Sequence, residues 1–215
     1  MTRISKEPEE RRAEIIEAAT KLFIVKGFEQ TAVSDIVHSV NVAQGTFYYY
    51  FKSKDDVMLA IIDQLHDETI QQLSIIVKRT DLSITQKLAA LSEAEFQLNR
   101  EHDDLYSQLH SEENSGVHQK IIVKAIRKMV PLYAEVIEEG VRQGIFNTKY
   151  PKEAAEFMLV STKFLFDPGI FHLSSDEILQ RGQAAQDISE RVLGAPKGSL
   201  AVNMNDRLVG IKKYY

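Results

Sequence analysis

The sequence contains no cysteine, and only five prolines and ten glycines interrupt its 215 residues. Without cysteine, a disulfide framework and thiolate metal sites are excluded. The lack of thiols fits a reducing compartment, so we expect a cytoplasmic protein. The few prolines and glycines punctuate a pattern that is otherwise mostly helical.

Long apolar runs are also missing. The apolar stretches 157–160 and 164–166 are far too short to cross a bilayer, and residues 1–12 lack the apolar region of a secretory signal. No membrane partner is therefore expected. Glycine-rich phosphate loops and the sequence motifs of hydrolases and zinc proteases do not occur either, so nothing in the sequence favours an enzyme or a bound cofactor.

Acidic residues outnumber basic ones in this sequence. The net charge is −5 and the isoelectric point is about 5.7, whereas nucleic-acid-binding domains usually carry a basic patch. Residues 1–60 contain eight Lys or Arg and nine Asp or Glu. Any surface that faces DNA must therefore be locally basic, with the acidic side chains on the other faces.

Apolar residues recur at helical spacing along most of the chain. Between residues 15 and 23 they predict a first helix, which ends at Lys26-Gly27. Thr31 is the expected N-cap of a second, short helix, and Asn41 suits a left-handed turn after it. No convincing strand pattern occurs, so the predicted fold class is all-α. Further helices are predicted over 43–50, 53–77, 84–100, 103–113, 117–143, 152–166 and 175–193.

Five consecutive aromatic residues, 47–51, form the most informative segment. Successive residues of a helix turn by about 100°, so these side chains cannot all face one core. We expect Phe47 and Phe51 inside and Tyr48 and Tyr49 at the surface. Tyrosine hydroxyls are suitable donors to phosphate oxygens, and the alternative is an aromatic patch that faces a protein partner.

The residues on either side of this aromatic segment have properties that suit DNA. Gly45 is unfavourable in a helix by roughly 1 kcal/mol relative to alanine, but it lets the backbone approach a ligand closely. Gln44 and Thr46 are able to reach base edges, and Lys52 and Lys54 add local positive charge. Two short helices around a tight turn place one helix in the major groove. The segment therefore predicts a DNA-binding helix-turn-helix.

The runs KGF (26–28), DIV (35–37) and VAQGTFYYYFKSK (42–54) resemble the DNA-binding signature of the TetR/AcrR family of transcriptional regulators. The resemblance covers about the first quarter of the chain. Asn41 stands where the family usually has glycine, and Ala43 where it often has serine, so the recognition helix lacks a side-chain N-cap. The resemblance implies DNA-backbone contacts by Thr31, Tyr48, Tyr49 and Lys54 and reading positions at Gln44, Gly45 and Thr46; local charge adds Lys52 to these candidates.

The C-terminal part carries candidate ligand-binding and dimerisation residues. Large side chains, some with polar tips, are able to line a pocket between helices, although each of them is equally well explained as ordinary core. These residues are Phe96, Tyr106, His110, Tyr133 and Phe164. The last helix also has a heptad-like apolar seam, and the family resemblance implies that the last two long helices form a four-helix dimer interface. The seam consists of Ile178, Ala185, Ile188 and Val192.

Three of the six histidines raise the question of a metal site. His102, His110 and His118 are each eight residues apart, but Ser115-Gly116 interrupts the segment and no histidine pair has i, i+4 spacing. The spacing therefore predicts no metal site.

These observations predict an all-α homodimer with an N-terminal three-helix helix-turn-helix domain and a C-terminal helical regulatory and dimerisation domain. The expected boundaries are 1–52, 53–194 and a tail of uncertain structure, 195–215. The resemblance implies a repressor that binds a palindromic double-stranded DNA operator and is released by a small-molecule effector. One alternative is control by a protein partner, or action as an activator. Another is a helical metal-binding or interaction protein that does not bind DNA.

Overall fold

The structure is a computed structural model that describes residues 7–110 and 112–200. Every regular element in those ranges is helical, which confirms the predicted fold class, and none of these helices is long and apolar enough to cross a bilayer. The helices are α1 (Pro8–Lys26), α2 (Val33–Ser39), α3 (Gln44–Tyr50), α4 (Lys54–Val77), α5 (Ile84–Glu101), α6 (Asp103–Tyr106), α7 (Ser115–Arg142), α8 (Pro151–Leu165) and α9 (Ser175–Leu193).

The chain divides into two compact units, residues 1–65 and 66–215. The division falls inside α4, which contributes residues to both units. The domain boundary expected at residue 52 stays a prediction. Most of the expected tail, residues 201–215, lies outside the described residues.

Helix α1 ends where the sequence predicts and anchors the core of the first unit. Gly27 has φ +94°, and its N–H donates to the carbonyl of Phe23. This turn brings the rings of Phe23 and Phe28 into edge-to-face contact, with centroids 5.0 Å apart. Both rings are buried, so the end of α1 is fixed by packing as well as by hydrogen bonding.

The turn between α2 and α3 contains Asn41, which adopts φ 51° as predicted. The expected N-cap of α2 was wrong: the capping residue is Ala32, whose N–H donates to Asp35 Oδ2 at 2.9 Å. The Thr31 hydroxyl instead donates to the carbonyl of Gly27 at 2.6 Å. The end of α1 thus supplies a nearer acceptor, and the cap passes to the next residue.

In the second unit, α7 supplies the largest share of the buried residues and packs mainly against α8 and α5. A partly buried ion pair joins α5 to α7, with the buried Lys87 Nζ 2.7 Å from Glu139 Oε2. The rest of this core is formed mainly by aliphatic side chains of α4, α5, α7 and α8, together with Phe146, Leu193 and Leu200.

The single helix expected over 103–113 was wrong. Among the described residues of this range only α6 is α-helical, and 3₁₀ turns follow at Ser107–Leu109 and Glu112–Asn114. Side-chain amides compete for the backbone carbonyls of this segment: Gln108 Nε2 donates to Asp104 and the buried Asn114 Nδ2 donates to Gln108. Local side-chain bonds of this kind end a helix.

Residues 196–200 are tied to α9 by the buried carboxylate of Glu190. This group accepts hydrogen bonds from the N–H of Gly198 at 2.8 Å and of Leu200 at 3.1 Å, and from Gln186 Nε2 at 3.1 Å. Burial acts to raise the pKa of Glu190, but these hydrogen bonds outweigh it and hold the pKa below its ordinary value. The ionised carboxylate therefore stabilises the folded chain.

Glu190→Ala is expected to lower the free energy of unfolding by roughly 2 kcal/mol, because it leaves two backbone N–H groups without their acceptor. The effect should be full at neutral pH and shrink as the pH falls through the lowered pKa of Glu190. Thermal unfolding of the variant beside Asp187→Ala, which removes an exposed ion pair with Arg191 on the same helix, checks this. Equal melting temperatures for the two variants would contradict it.

Candidate functional site

Helix α3 separates its aromatic residues into a buried and an exposed set. Phe47 is 0% exposed and Phe51 is 4% exposed, whereas Tyr48 and Tyr49 are 53% and 77% exposed. Their arrangement confirms the facing that the helical period predicts. The two tyrosines therefore present aromatic faces and hydroxyls on the surface of the first unit.

The start of α3 is open. Gln44 and Gly45 are exposed, Thr46 is half-buried, and a Cβ placed on Gly45 would have no heavy atom within 4 Å. Glycine weakens a helix, yet no packing among the residues that the structure describes requires it here. Its absent side chain leaves the helix surface free for the close approach of a partner.

Two predicted contact residues are turned toward the protein itself. Thr31 is 2% exposed, and its hydroxyl is bonded to the end of α1. The half-buried Lys54 donates from Nζ to the carbonyls of Phe28 at 2.7 Å and Glu29 at 3.3 Å. The same ammonium lies 4.4 Å from the centroid of the Phe28 ring, a cation–π distance. Lys52, by contrast, is exposed.

The second unit contains a cavity of about 350 Å³, a size that suits a small molecule. Helices α4, α5, α7, α8 and α9 all contribute to its wall. Of the five residues predicted to line a pocket, Phe96, Tyr106, His110 and Tyr133 do so. Phe164 does not, and packs instead against the main hydrophobic core.

A polar triad on the cavity wall was missed by sequence reasoning. Glu95 forms an ion pair with Lys163 and accepts a hydrogen bond from the Tyr133 hydroxyl at 3.3 Å. The Glu95 and Lys163 side chains are only 13% and 17% exposed. The triad joins α5, α7 and α8, whose separation in sequence leaves no local spacing signal.

Burial shifts the pKa values of two titratable groups in the cavity. Burial raises the pKa of Tyr106, and the charge of Glu95 adds to the increase. Burial lowers the pKa of His110, against the opposing effect of Asp167. Both groups are therefore held in their neutral forms near neutral pH.

One cluster of possible metal ligands occurs within 7–110 and 112–200: His110, His118 and Asp167, with one ligand atom of each within 4.8 Å of the others. The spacing of His102, His110 and His118 along the chain predicted no such cluster. In the structure a 3₁₀ turn at Glu112–Asn114 lies between His110 and His118, and the third member comes from the segment after α8.

The predicted dimerisation seam on α9 mostly faces its own protomer. Ile178 is buried beside Leu173, Ala185 lines the cavity, and Val192 packs against the main core. Ile188 is 46% exposed. Apolar residues recur at the same helical spacing in a dimer interface and in a helix that packs within its own unit. The spacing alone therefore does not distinguish a dimer interface from an internal packing surface.

A helix-turn-helix followed by an all-helical unit is the architecture of one class of DNA-binding transcriptional regulators. Comparison with known families agrees. A profile described as "Bacterial regulatory proteins, tetR family" matches residues 15–61, and one described as "Tetracyclin repressor-like, C-terminal domain" matches residues 95–188. The chain belongs to the TetR family of transcriptional regulators.

Individual relatives match this chain over stretches of different length. The HTH-type transcriptional regulator TtgR of Pseudomonas putida is 37% identical over 65 residues, which cover 30% of this chain and 31% of TtgR. The chain thus aligns with about a third of that regulator's length. The fatty acid metabolism regulator protein of Bacillus subtilis is 24% identical over 151 residues, covering 69% of this chain and 77% of the relative.

Solved structures share the fold. A transcriptional regulator from Cytophaga hutchinsonii superimposes with a TM-score of 0.60 at 19% identity, covering 84% of this chain and 95% of that one. A TetR-family regulator from Syntrophomonas wolfei gives a TM-score of 0.57 at 21% identity, covering 87% and 93%. The two-unit helical architecture is therefore shared at low sequence identity.

Lys54→Ala is expected to lower the free energy of unfolding by roughly 1–2 kcal/mol, because it removes the hydrogen bonds to residues 28 and 29 and the cation–π contact. Lys52→Ala, which truncates an exposed neighbour of the same type, is the matched control and should unfold like the unaltered protein. Denaturant unfolding checks both. Equal stability of the two variants would show that the Lys54 contacts contribute nothing.

Proposed function

We propose that the protein is a sequence-specific DNA-binding transcriptional regulator that acts as a dimeric repressor in the cytoplasm. The observation that carries this proposal is the exposed face of α3. Two tyrosines, a glutamine and an unobstructed glycine share that face, and the exposed Lys52 follows it. Side chains of these types donate to phosphates and to base edges, and family membership supports the same role.

In the proposed complex α3 lies in the major groove. Gln44 and Thr46 read base edges, Gly45 allows close approach, and the hydroxyls of Tyr48 and Tyr49 donate to phosphates. Lys52 adds a phosphate contact. Lys54 keeps its bonds to residues 28 and 29 and has a third ammonium hydrogen for a phosphate, whereas the buried Thr31 acts by holding the end of α1.

We place the dimer interface on exposed faces of α8 and α9. Phe157 and Val160 of α8 are 52% and 43% exposed, and Ile188 of α9 is 46% exposed. These two helices pack against each other, so their apolar residues are able to form one surface. Large exposed apolar side chains on neighbouring helices favour association. A two-fold dimer would present two copies of α3 to a palindromic operator.

The proposed effector is a small molecule that enters the cavity of the second unit. Most of the surface of the wall is apolar, and Glu95, Lys163 and Tyr133 supply polar groups for orientation. His66 of α4 is buried and also lines the cavity. An effector in the cavity would thus contact the helix that begins at Lys54. It would release DNA only if it bound the DNA-incompetent conformation more tightly.

Selection from a genomic-fragment library at physiological salt, followed by sequencing of the retained DNA, tests this function. We expect one two-fold-symmetric motif, because a dimer reads two half-sites. Gln44→Ala should relax the base preference at one position per half-site, while the exposed Gln72→Ala on α4 leaves the motif unchanged. Uniform weak retention by the unaltered protein would refute sequence-specific binding.

The substitution Gly45→Ala separates the effect of glycine on helix stability from its proposed role in DNA binding. The alanine should stabilise the protein by up to about 1 kcal/mol, because the helix gains propensity and nothing within 4 Å obstructs the new methyl group. The selected DNA motif should nevertheless bind at least about 10-fold more weakly, since the methyl group blocks close approach.

Gly116→Ala is the control for this substitution. It lies in the first turn of α7, and an added Cβ there also has nothing within 4 Å. Its affinity for the motif should equal that of the unaltered protein in a fluorescence-anisotropy titration. If Gly45→Ala also binds with unchanged affinity, the close approach of DNA at this position is disproved.

A further inference from the structure

Three side chains converge on one stretch of the cavity wall in the second unit. His110 follows the first 3₁₀ turn, His118 lies in the first turns of α7, and Asp167 follows α8. The rings of His110 and His118 have centroids 5.0 Å apart, and His118 Nε2 lies 3.1 Å from Asp167 Oδ2. All three residues line the cavity.

The aspartate is held in position by its own loop. Asp167 is 7% exposed, and its Oδ1 accepts a hydrogen bond from the N–H of Gly169 at 2.8 Å. Oδ2 is left directed at His118. A Cβ on Gly169 would lie 3.1 Å from both Asp167 Oδ1 and the His110 Cα, so the glycine permits the loop to approach His110 closely. This arrangement gives the carboxylate the outer-sphere support that metal-binding groups usually have.

The spacing of the donor atoms fits a transition metal. Zinc binds imidazole nitrogen and carboxylate oxygen at about 2.0–2.2 Å, which places two tetrahedral ligand atoms roughly 3.4 Å apart. The pair His118 and Asp167 already has nearly this separation. The three ligand atoms lie within 4.8 Å of one another, so one ion is able to reach all three once the side chains adjust.

We propose that His110, His118 and Asp167 form a site for a divalent transition metal ion on the wall of the cavity. Two imidazoles and one carboxylate suit Zn²⁺, Co²⁺ or Fe²⁺ and leave coordination positions open toward the cavity, whereas Mg²⁺ prefers ligand sets composed of oxygen. The site does not depend on the proposed DNA binding, because its occupancy is defined by these three side chains alone.

The test uses the full-length, tag-free protein after removal of metals with a chelator. Calorimetric titration with ZnCl₂ near neutral pH should show one equivalent bound per protomer, and MgCl₂ should give no comparable binding. CoCl₂ should produce the visible absorption of a coordinated ion, and ZnCl₂ should abolish that absorption by displacement. If neither Zn²⁺ nor Co²⁺ binds stoichiometrically, the proposal is overturned.

Near-isosteric variants identify the ligands. His118→Gln and Asp167→Asn should each weaken Zn²⁺ binding at least about 10-fold to 100-fold. His172→Gln makes the same exchange at an exposed histidine near Asp167 and should bind Zn²⁺ like the unaltered protein. Circular dichroism verifies that each variant is folded. Unweakened stoichiometric binding by folded His118→Gln and Asp167→Asn would place the metal elsewhere and overturn the assignment.

Discussion

The burial of Phe47 and Phe51 in the core of the first unit is the constraint on which its surface depends. Once these two rings are inside, the helical period leaves no choice about the direction of Tyr48 and Tyr49. The exposed face of α3 is therefore set by the hydrophobic effect. Contacts elsewhere in the unit, such as that between Phe23 and Phe28, support the same core.

Sequence reasoning succeeded where the determining interactions are local. The left-handed Asn41, the end of α1 at Gly27 and the long helix that ends at Val77 all follow from short-range preferences. The start of that helix is also fixed locally, because the Ser53 hydroxyl accepts a hydrogen bond from the N–H of Asp56. Such signals depend on only a few neighbouring residues, and the tertiary contacts of the folded chain do not override them.

Prediction from the sequence failed where a distant group competes with a local one for a hydrogen bond. Thr31 was expected to cap α2, but the carbonyl of Gly27 takes its hydroxyl, and the segment after α6 bends because side-chain amides take its carbonyls. The cluster of His110, His118 and Asp167 was missed because its third member lies far along the chain. The only local sign of it was the Asp-Pro-Gly break at 167–169, which predicts a turn but names no partner.

The triad of Glu95, Lys163 and Tyr133 allows the cavity to discriminate between ligands by charge as well as by shape. An anionic guest would compete with Glu95 for the ammonium of Lys163, and a cationic guest would compete with Lys163 for the carboxylate. A neutral apolar guest would leave the pair intact. Because the three members belong to α5, α7 and α8, breaking the pair would loosen three helices at once. The sign of a guest's charge, as well as its volume, would therefore decide how strongly the fold responds.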